Sequence, residues 1–355
     1  MALDYAKELD ELVQTVIAEG GSDLHFSAKS KPIIRVSSNL IPLVKKTEYS
    51  GDDTRGILTE LIGKDAVASF LQAQEVDFSF AYKDKARFRG NAFVQQGTIS
   101  IALRLIPKEI KTLSELNLPP ILETFAQLQQ GFFLVVGPVG QGKSTTLAAM
   151  IEKINQDRTE HIVTIEDPIE YTYESKNSII NQREVKIDTH SFHEALKSAF
   201  RQDVDVILVG EMRGPETMSA AVTAAETGHL VFSTLHTNNA AQTIDRIIDT
   251  FPGNQQDQIR IQLASSLAGI FSQRLVPRIQ GGLIPAYELL INTEAIANLI
   301  REKRTHEINA MIETGSESGM IDMNRTLADL VRRGEITPEN AIARSLNPKT
   351  FMRLI

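Results

Sequence analysis

Residues 132–144 read Phe132-Phe-Leu-Val-Val136-Gly137-Pro-Val-Gly-Gln-Gly-Lys143-Ser144. The run Phe132–Val136 is apolar without alternation, as expected of a strand buried on both faces. It leads into G-x-x-x-x-G-K-S, and Ser144–Ile154 then has helical character. Strand, glycine-rich turn and helix in that order are the context in which this motif cradles phosphate. The glycines let successive backbone N–H groups face inward, and the helix N-terminus adds the positive end of its dipole. Lys143 supplies an ammonium for the β- and γ-phosphates, and the Ser144 hydroxyl is the expected Mg²⁺ ligand. No N-K-x-D guanine-reading motif is present, which favours ATP over GTP.

Working outward, His161–Ile165, Val206–Val209 and Leu230–Ser233 are further short apolar runs separated by helical patterns. Within His190–Gln202, Phe192, Ala195, Leu196, Ala199 and Phe200 form one apolar stripe. Buried strands alternating with helices predict a parallel sheet covered on both faces, an α/β fold. Two of these strands end in acids: Glu166-Asp167 after Ile165, and Glu211 after Gly210. Ligands of parallel α/β sheets gather at the carboxyl ends of strands, so Glu166, Asp167 and Glu211 are the candidates for holding Mg²⁺ and activating water. His229 and His236 flank the third strand. A lone histidine is more often structural and is mostly neutral at pH 7, so the residues alone leave both readings of this pair open.

The 355 residues suit more than one compact unit. Residues 3–18 carry helical periodicity ended by Gly20-Gly21, and from Ser22 to about Pro107 short alternating strands surround a helical patch at Arg55–Leu71. The expected division is an N-terminal α+β domain at 1–107, a linker at 108–117, and an ATPase domain at 118–355 whose part from 292 onward is helical. Lys and Arg total 37 against 45 Asp and Glu, a net charge of −8, which argues against a general nucleic-acid coat. There are no cysteines, so disulfides, thiol catalysis and Cys-ligated metal centres are excluded. The N-terminal stretch has early acids and no apolar core, so no secretory signal is expected.

Together these motifs resemble the type II/IV secretion ATPases. Gly137–Ser144 is similar to the family's phosphate loop, Glu166-Asp-Pro-Ile-Glu170 to its acidic box, Val206–Glu211 to its second acidic strand, and Gly228–Thr237 to its histidine box. Gly20-Gly-Ser-Asp-Leu-His25, Arg87-Phe-Arg-Gly-Asn91, Ala295–Glu302 and Met323–Ser345 resemble the PilT-type pilus retraction branch, with Ala297 where that branch usually has arginine. The zero cysteine count fits that branch better than assembly ATPases carrying C-x-x-C zinc modules.

The resemblance implies a PAS-like N-terminal domain and a RecA-like ATPase domain. It implies a phosphate cradle of Gly137, Pro138, Val139, Gly140, Gln141, Gly142, Lys143, Ser144 and Thr145, with Glu211 as water activator and Glu166 and Asp167 beside the metal. It implies site roles for His229 and His236, and for Arg89 and Arg104, with Arg87 sharing the strand face of Arg89. It further implies a cytoplasmic homohexamer, peripheral at the inner membrane, that uses ATP and Mg²⁺. The partners implied are an inner-membrane pilus platform protein and a paralogous retraction ATPase. A non-motor ATP-binding scaffold and a nucleic-acid translocase are the rival readings; the intact Glu211 argues against the first and the acidic charge against the second.

Overall fold

In the computed structural model, residues 3–36, 39–83, 85–107 and 109–355 are described; Lys108, the first residue of the expected linker, lies outside them. The chain separates into one unit of residues 1–109 with 170–172 and a second of 110–169 with 173–355.

In the first unit, β1 (Asp23–Phe26), β2 (Ile33–Val36), β3 (Asn39–Pro42), β4 (Glu75–Tyr82), β5 (Ala86–Gln95) and β6 (Thr98–Ile106) form a sheet of order β3-β2-β1-β6-β5-β4. Every pairing is antiparallel. Alternation along these strands puts Leu24, Phe26, Ile34, Phe88, Ala92, Ile101 and Leu103 into one core with Leu12, Val13 and Val16 of the helix Tyr5–Ala18 and Ile57 and Leu58 of the helix Gly51–Ile62. Asp4 caps the first helix through the Lys7 N–H, and Ser50 with Asp53 forms a reciprocal capping box on the second. After the first helix, Gly20 takes a left-handed φ of 61° and the Gly21 N–H returns to the Val16 carbonyl at 2.8 Å.

The second unit holds β7 (Gly131–Val136), β8 (His161–Glu166), β9 (Ile179–Glu184), β10 (Val206–Val209), β11 (Leu230–Leu235), β12 (Leu267–Pro277) and β13 (Leu283–Ile291), in the order β13-β12-β7-β11-β10-β8-β9. All neighbours are parallel except β13, which returns antiparallel along β12. The apolar run that opens the sequence argument is β7. Phe132, Leu134 and Val136 enter the core on one face of the sheet, and Phe133 and Val135 enter the core on the other. Leu147, Met150, Ile151 and Ile154 of the helix Lys143–Asp157 pack on that second face. From residue 292 onward the described elements are helices.

The structure adds what periodicity did not disclose. β9 reads Ile-Ile-Asn-Gln-Arg-Glu and lies at the sheet edge, so burial imposes no apolar run on it. The hairpin β12–β13 carries polar residues inside buried strands, including Gln273 and Glu288, which interrupt the apolar signal. Among the described residues no helix is long and apolar enough to cross a membrane.

Gly269 marks where β12 closes on its neighbours. A Cβ there would lie 2.8 Å from the Leu290 carbonyl oxygen and 2.9 Å from the Phe125 ring. Backbone cannot yield as a flexible side chain can, so Gly269→Ala is expected to cost about 1–3 kcal/mol in urea unfolding. A midpoint equal to that of the unaltered chain would contradict this packing.

Candidate functional site

The turn after β7 is built on left-handed glycines: φ is 146° at Gly137, 75° at Gly140 and 79° at Gly142. Such values are accessible to glycine and strained for other residues. Gly137 is doubly constrained, because a Cβ there would meet the Gln273 carbonyl oxygen at 2.4 Å. The helix begins at Lys143, so the N–H groups of its first turn open toward the loop. Val139, at the outer part of the turn, is 80% exposed.

Lys143 is buried, and its ammonium donates to the Gly137 and Pro138 carbonyls at 2.9 Å each. It also lies 3.2 Å from His236 Nδ1. An ammonium has donors only, so Nδ1 accepts and the imidazole proton sits on Nε2. That nitrogen is 3.7 Å from Glu211 Oε2, while the other carboxylate oxygen of Glu211 pairs with Arg213. Lys143, His236, Glu211 and Arg213 thus form a continuous polar chain across the strand ends. Glu211, Arg213, Thr234, His236, Thr237 and Arg246 are among the residues lining an open cavity of about 440 Å³ here.

Glu166 ends β8 and is buried; it accepts from the Thr164 hydroxyl at 2.7 Å and the Gln182 amide at 3.3 Å. A Cβ on Gly210 would lie 3.4 Å from the Glu166 Cα, so the ends of β8 and β10 are adjacent. Asp167 faces Lys186 at 3.5 Å. Among the described residues no three His, Asp or Glu side chains are grouped as a ready metal cage. An octahedral Mg²⁺ that keeps several waters and takes phosphate oxygens does not need such a cage. The Ser144 hydroxyl at the helix start, with the acids Glu166 and Glu211 ending neighbouring strands, suits that mode of binding.

The structure does not bring His229 to the loop. It stands at the opposite end of β11 from His236, a separation of roughly 20 Å at the usual strand rise. There its Nδ1 lies 3.0 Å from the Ala224 carbonyl and its ring meets Phe200 edge-on.

Arg89 and Arg104 belong to the first unit. Arg35, Asp23, Arg104 and Arg89 are successive cross-strand partners on β2, β1, β6 and β5, on the sheet face opposite the core. Arg104 Nε donates to Asp23 Oδ1 at 2.9 Å. Burial pushes the Asp23 carboxyl upward, but the Ser22 hydroxyl and the Arg104 guanidinium outweigh it and leave the pKa below the usual range. Both Arg89 and Arg104 are exposed.

Sequence reasoning missed Gln273 and Arg246, because neither belongs to a motif with a spacing. Gln273 lies in the unread hairpin, and Arg246 reaches the cavity only because the helix Ala240–Asp249 follows His236 directly.

Fold and site together define an ATPase of the phosphate-loop class. The family profile described as Type II/IV secretion system protein matches residues 5–282, and the chain belongs to that family. The type IV pilus retraction ATPase PilT of Pseudomonas aeruginosa is 43% identical over 349 residues, covering 97% of this chain and 100% of its own length. A twitching motility protein of Neisseria gonorrhoeae is 46% identical over 321 residues, covering 90% of this chain and 86% of its own. A crystal structure of the pilus retraction motor PilT with bound ADP superposes with a TM-score of 0.91 at 45% identity, covering 97% of this chain and 98% of that one.

The electrostatics of His236 give a measurable pH dependence. Burial holds its pKa below 6.5, the Lys143 ammonium lowers it further, and Glu211 opposes them without reversing the shift. In the window below 6.5 the unfolded chain therefore binds more protons than the folded one, and stability falls as pH drops through it. Above that window the contribution is constant. His236→Gln is expected to flatten this part of the melting temperature against pH; identical slopes in the two proteins would show that His236 stays accessible to protons in the fold.

Proposed function

We propose that this chain is a Mg²⁺-dependent ATP-hydrolysing motor that powers type IV pilus retraction, and so twitching motility, by driving pilus disassembly. The observation that carries the reading is the convergence of Lys143, His236 and Glu211 at the mouth of a complete phosphate loop. The near full-length similarity to relatives named for retraction and twitching supports the pilus assignment. On this reading it assembles as a homohexamer in the cytoplasm, peripheral at the inner membrane, against the pilus platform protein, with a paralogous retraction ATPase as a further partner. The functional division is 1–107, 108–117 and 118–355, with the phosphate loop on the last part and the arginine row on the first.

Backbone N–H groups of residues 140–145 and the Lys143 ammonium bind the phosphates. To do so Lys143 exchanges the Gly137 and Pro138 carbonyls and His236 Nδ1 for phosphate oxygens. Phosphate arrival thereby releases His236, which stands beside Glu211, and couples occupancy of the loop to the catalytic acid. Glu211 orients the attacking water and takes its proton. Ser144, Glu166, Asp167 and Glu211 would hold Mg²⁺, which when bound neutralises phosphate charge. Arg89 and Arg104 of a neighbouring subunit stabilise charge that grows on the transferred phosphoryl group.

The rival reading is an ATP-binding scaffold for a partner motor; the intact Glu211 argues against it, and Ala297, buried where the retraction branch usually carries arginine, bears on retraction and not on turnover. Glu211→Gln separates the two. On the motor reading it keeps nucleotide binding, loses at least about a hundredfold in turnover, and fails to restore retraction in cells lacking the gene. Restored retraction without turnover would establish the scaffold. Lys143→Ala is expected to abolish nucleotide binding, and normal turnover in that variant would sink the phosphate-loop assignment.

Mixed rings test the arginines. Arg104→Ala and Lys143→Ala chains should each be inactive alone. If the arginine acts across a subunit interface, mixing them creates some complete sites and recovers partial turnover. No recovery would place the arginine's action within its own chain, and full activity of Arg104→Ala alone would remove it from the chemistry.

A further inference from the structure

The Gln141–Gly142 peptide is poorly restrained by its own chain. Its plane turns about ψ of Gln141 and φ of Gly142, and the left-handed glycine, at φ 79°, opposes that turn little. A phosphate cradle works only if its N–H groups are aimed before the ligand arrives, so something outside the loop must hold this plane.

β12 supplies the restraint. Gln273, one residue beyond the Ser272 that pairs with Val136 of β7, is 3% exposed. Its Nε2 donates to the Gln141 carbonyl at 2.8 Å. Its Oε1 accepts from the hydroxyl of Thr146, itself 1% exposed, at 2.6 Å. That second bond sets which end of the carboxamide faces the loop. The Gln141 side chain closes the clasp, its Oε1 accepting the Leu275 N–H at 2.8 Å. In a planar trans peptide the carbonyl and the following N–H point in opposite directions. Tying the Gln141 carbonyl to β12 therefore turns the Gly142 N–H away from β12.

We propose that Gln273 is a positioning residue for nucleotide binding: aligned by Thr146, it anchors the Gln141 carbonyl and so fixes the Gly142 N–H as a phosphate donor. This rests on the reading of Gly137–Ser144 as a nucleotide site. The donor serves ground state and transition state alike, so its loss raises KM more than it lowers kcat.

The test is calorimetric titration with Mg-ADP, with steady-state ATP turnover alongside, on the full chain. Gln273→Met keeps the side-chain length and removes both polar ends. It is expected to bind Mg-ADP about tenfold more weakly and to raise KM by a similar factor, the effect of one well-aligned hydrogen bond. Thr146→Val should weaken binding in the same direction by less. The double variant should be no worse than Gln273→Met, because Thr146 acts through Gln273. If Gln273→Met fails to fold, Thr146→Val carries the test by the same KM readout. Unchanged affinity in Gln273→Met, unchanged KM in Thr146→Val, or additive losses in the double variant would overturn the role of Gln273 while leaving the nucleotide site standing. If the unaltered chain itself binds no Mg-ADP, the nucleotide reading falls and this proposal with it.

Discussion

Parallel pairing of β7, β11, β10 and β8 is the constraint on which the site depends. In register, Val136 lies beside Leu235, and Val209 lies between Ser233 and Ile165. Each strand therefore releases its next residues at the same edge: the glycine loop, His236, Glu211 and the Glu166-Asp167 pair. No single strand carries the site. A shift of one residue in the pairing of β7 would send Phe132, Leu134 and Val136 into the core fitted to Phe133 and Val135, so the packing that stabilises the sheet also fixes the positions of the polar groups.

A buried ammonium is costly unless its hydrogen-bonding capacity is met. Two loop carbonyls and a neutral imidazole are among the groups that meet that of Lys143. The neutrality of His236 follows from the same arrangement, since a second cation 3.2 Å from the first would be strongly disfavoured. On the proposed reading phosphate replaces these partners, and the replacement reaches the imidazole next to Glu211.

The first unit solves a different electrostatic problem. Antiparallel register stacks Arg35, Arg104 and Arg89 on one side of its sheet, where like charges repel. Asp23, buried between Arg35 and Arg104, offsets that repulsion and holds the exposed Arg104 by its Nε. Such a face suits an anionic ligand.

The phosphate loop, the two acids that end strands and the α/β class were legible in the sequence because each is a local pattern. An uninterrupted apolar run reports burial on two faces, and G-x-x-x-x-G-K-S reports a backbone geometry that only its glycines allow. Tertiary structure decided which distant residues meet. It separated His229 from His236 by the length of β11 within one chain. It set Gln273 beside Gly142 and Thr146, a contact across more than a hundred residues of chain that leaves no periodic trace. Spacing along a sequence records the neighbours of a residue within its own element; hydrogen bonds between elements depend on strand order, and strand order is fixed by how the whole core packs.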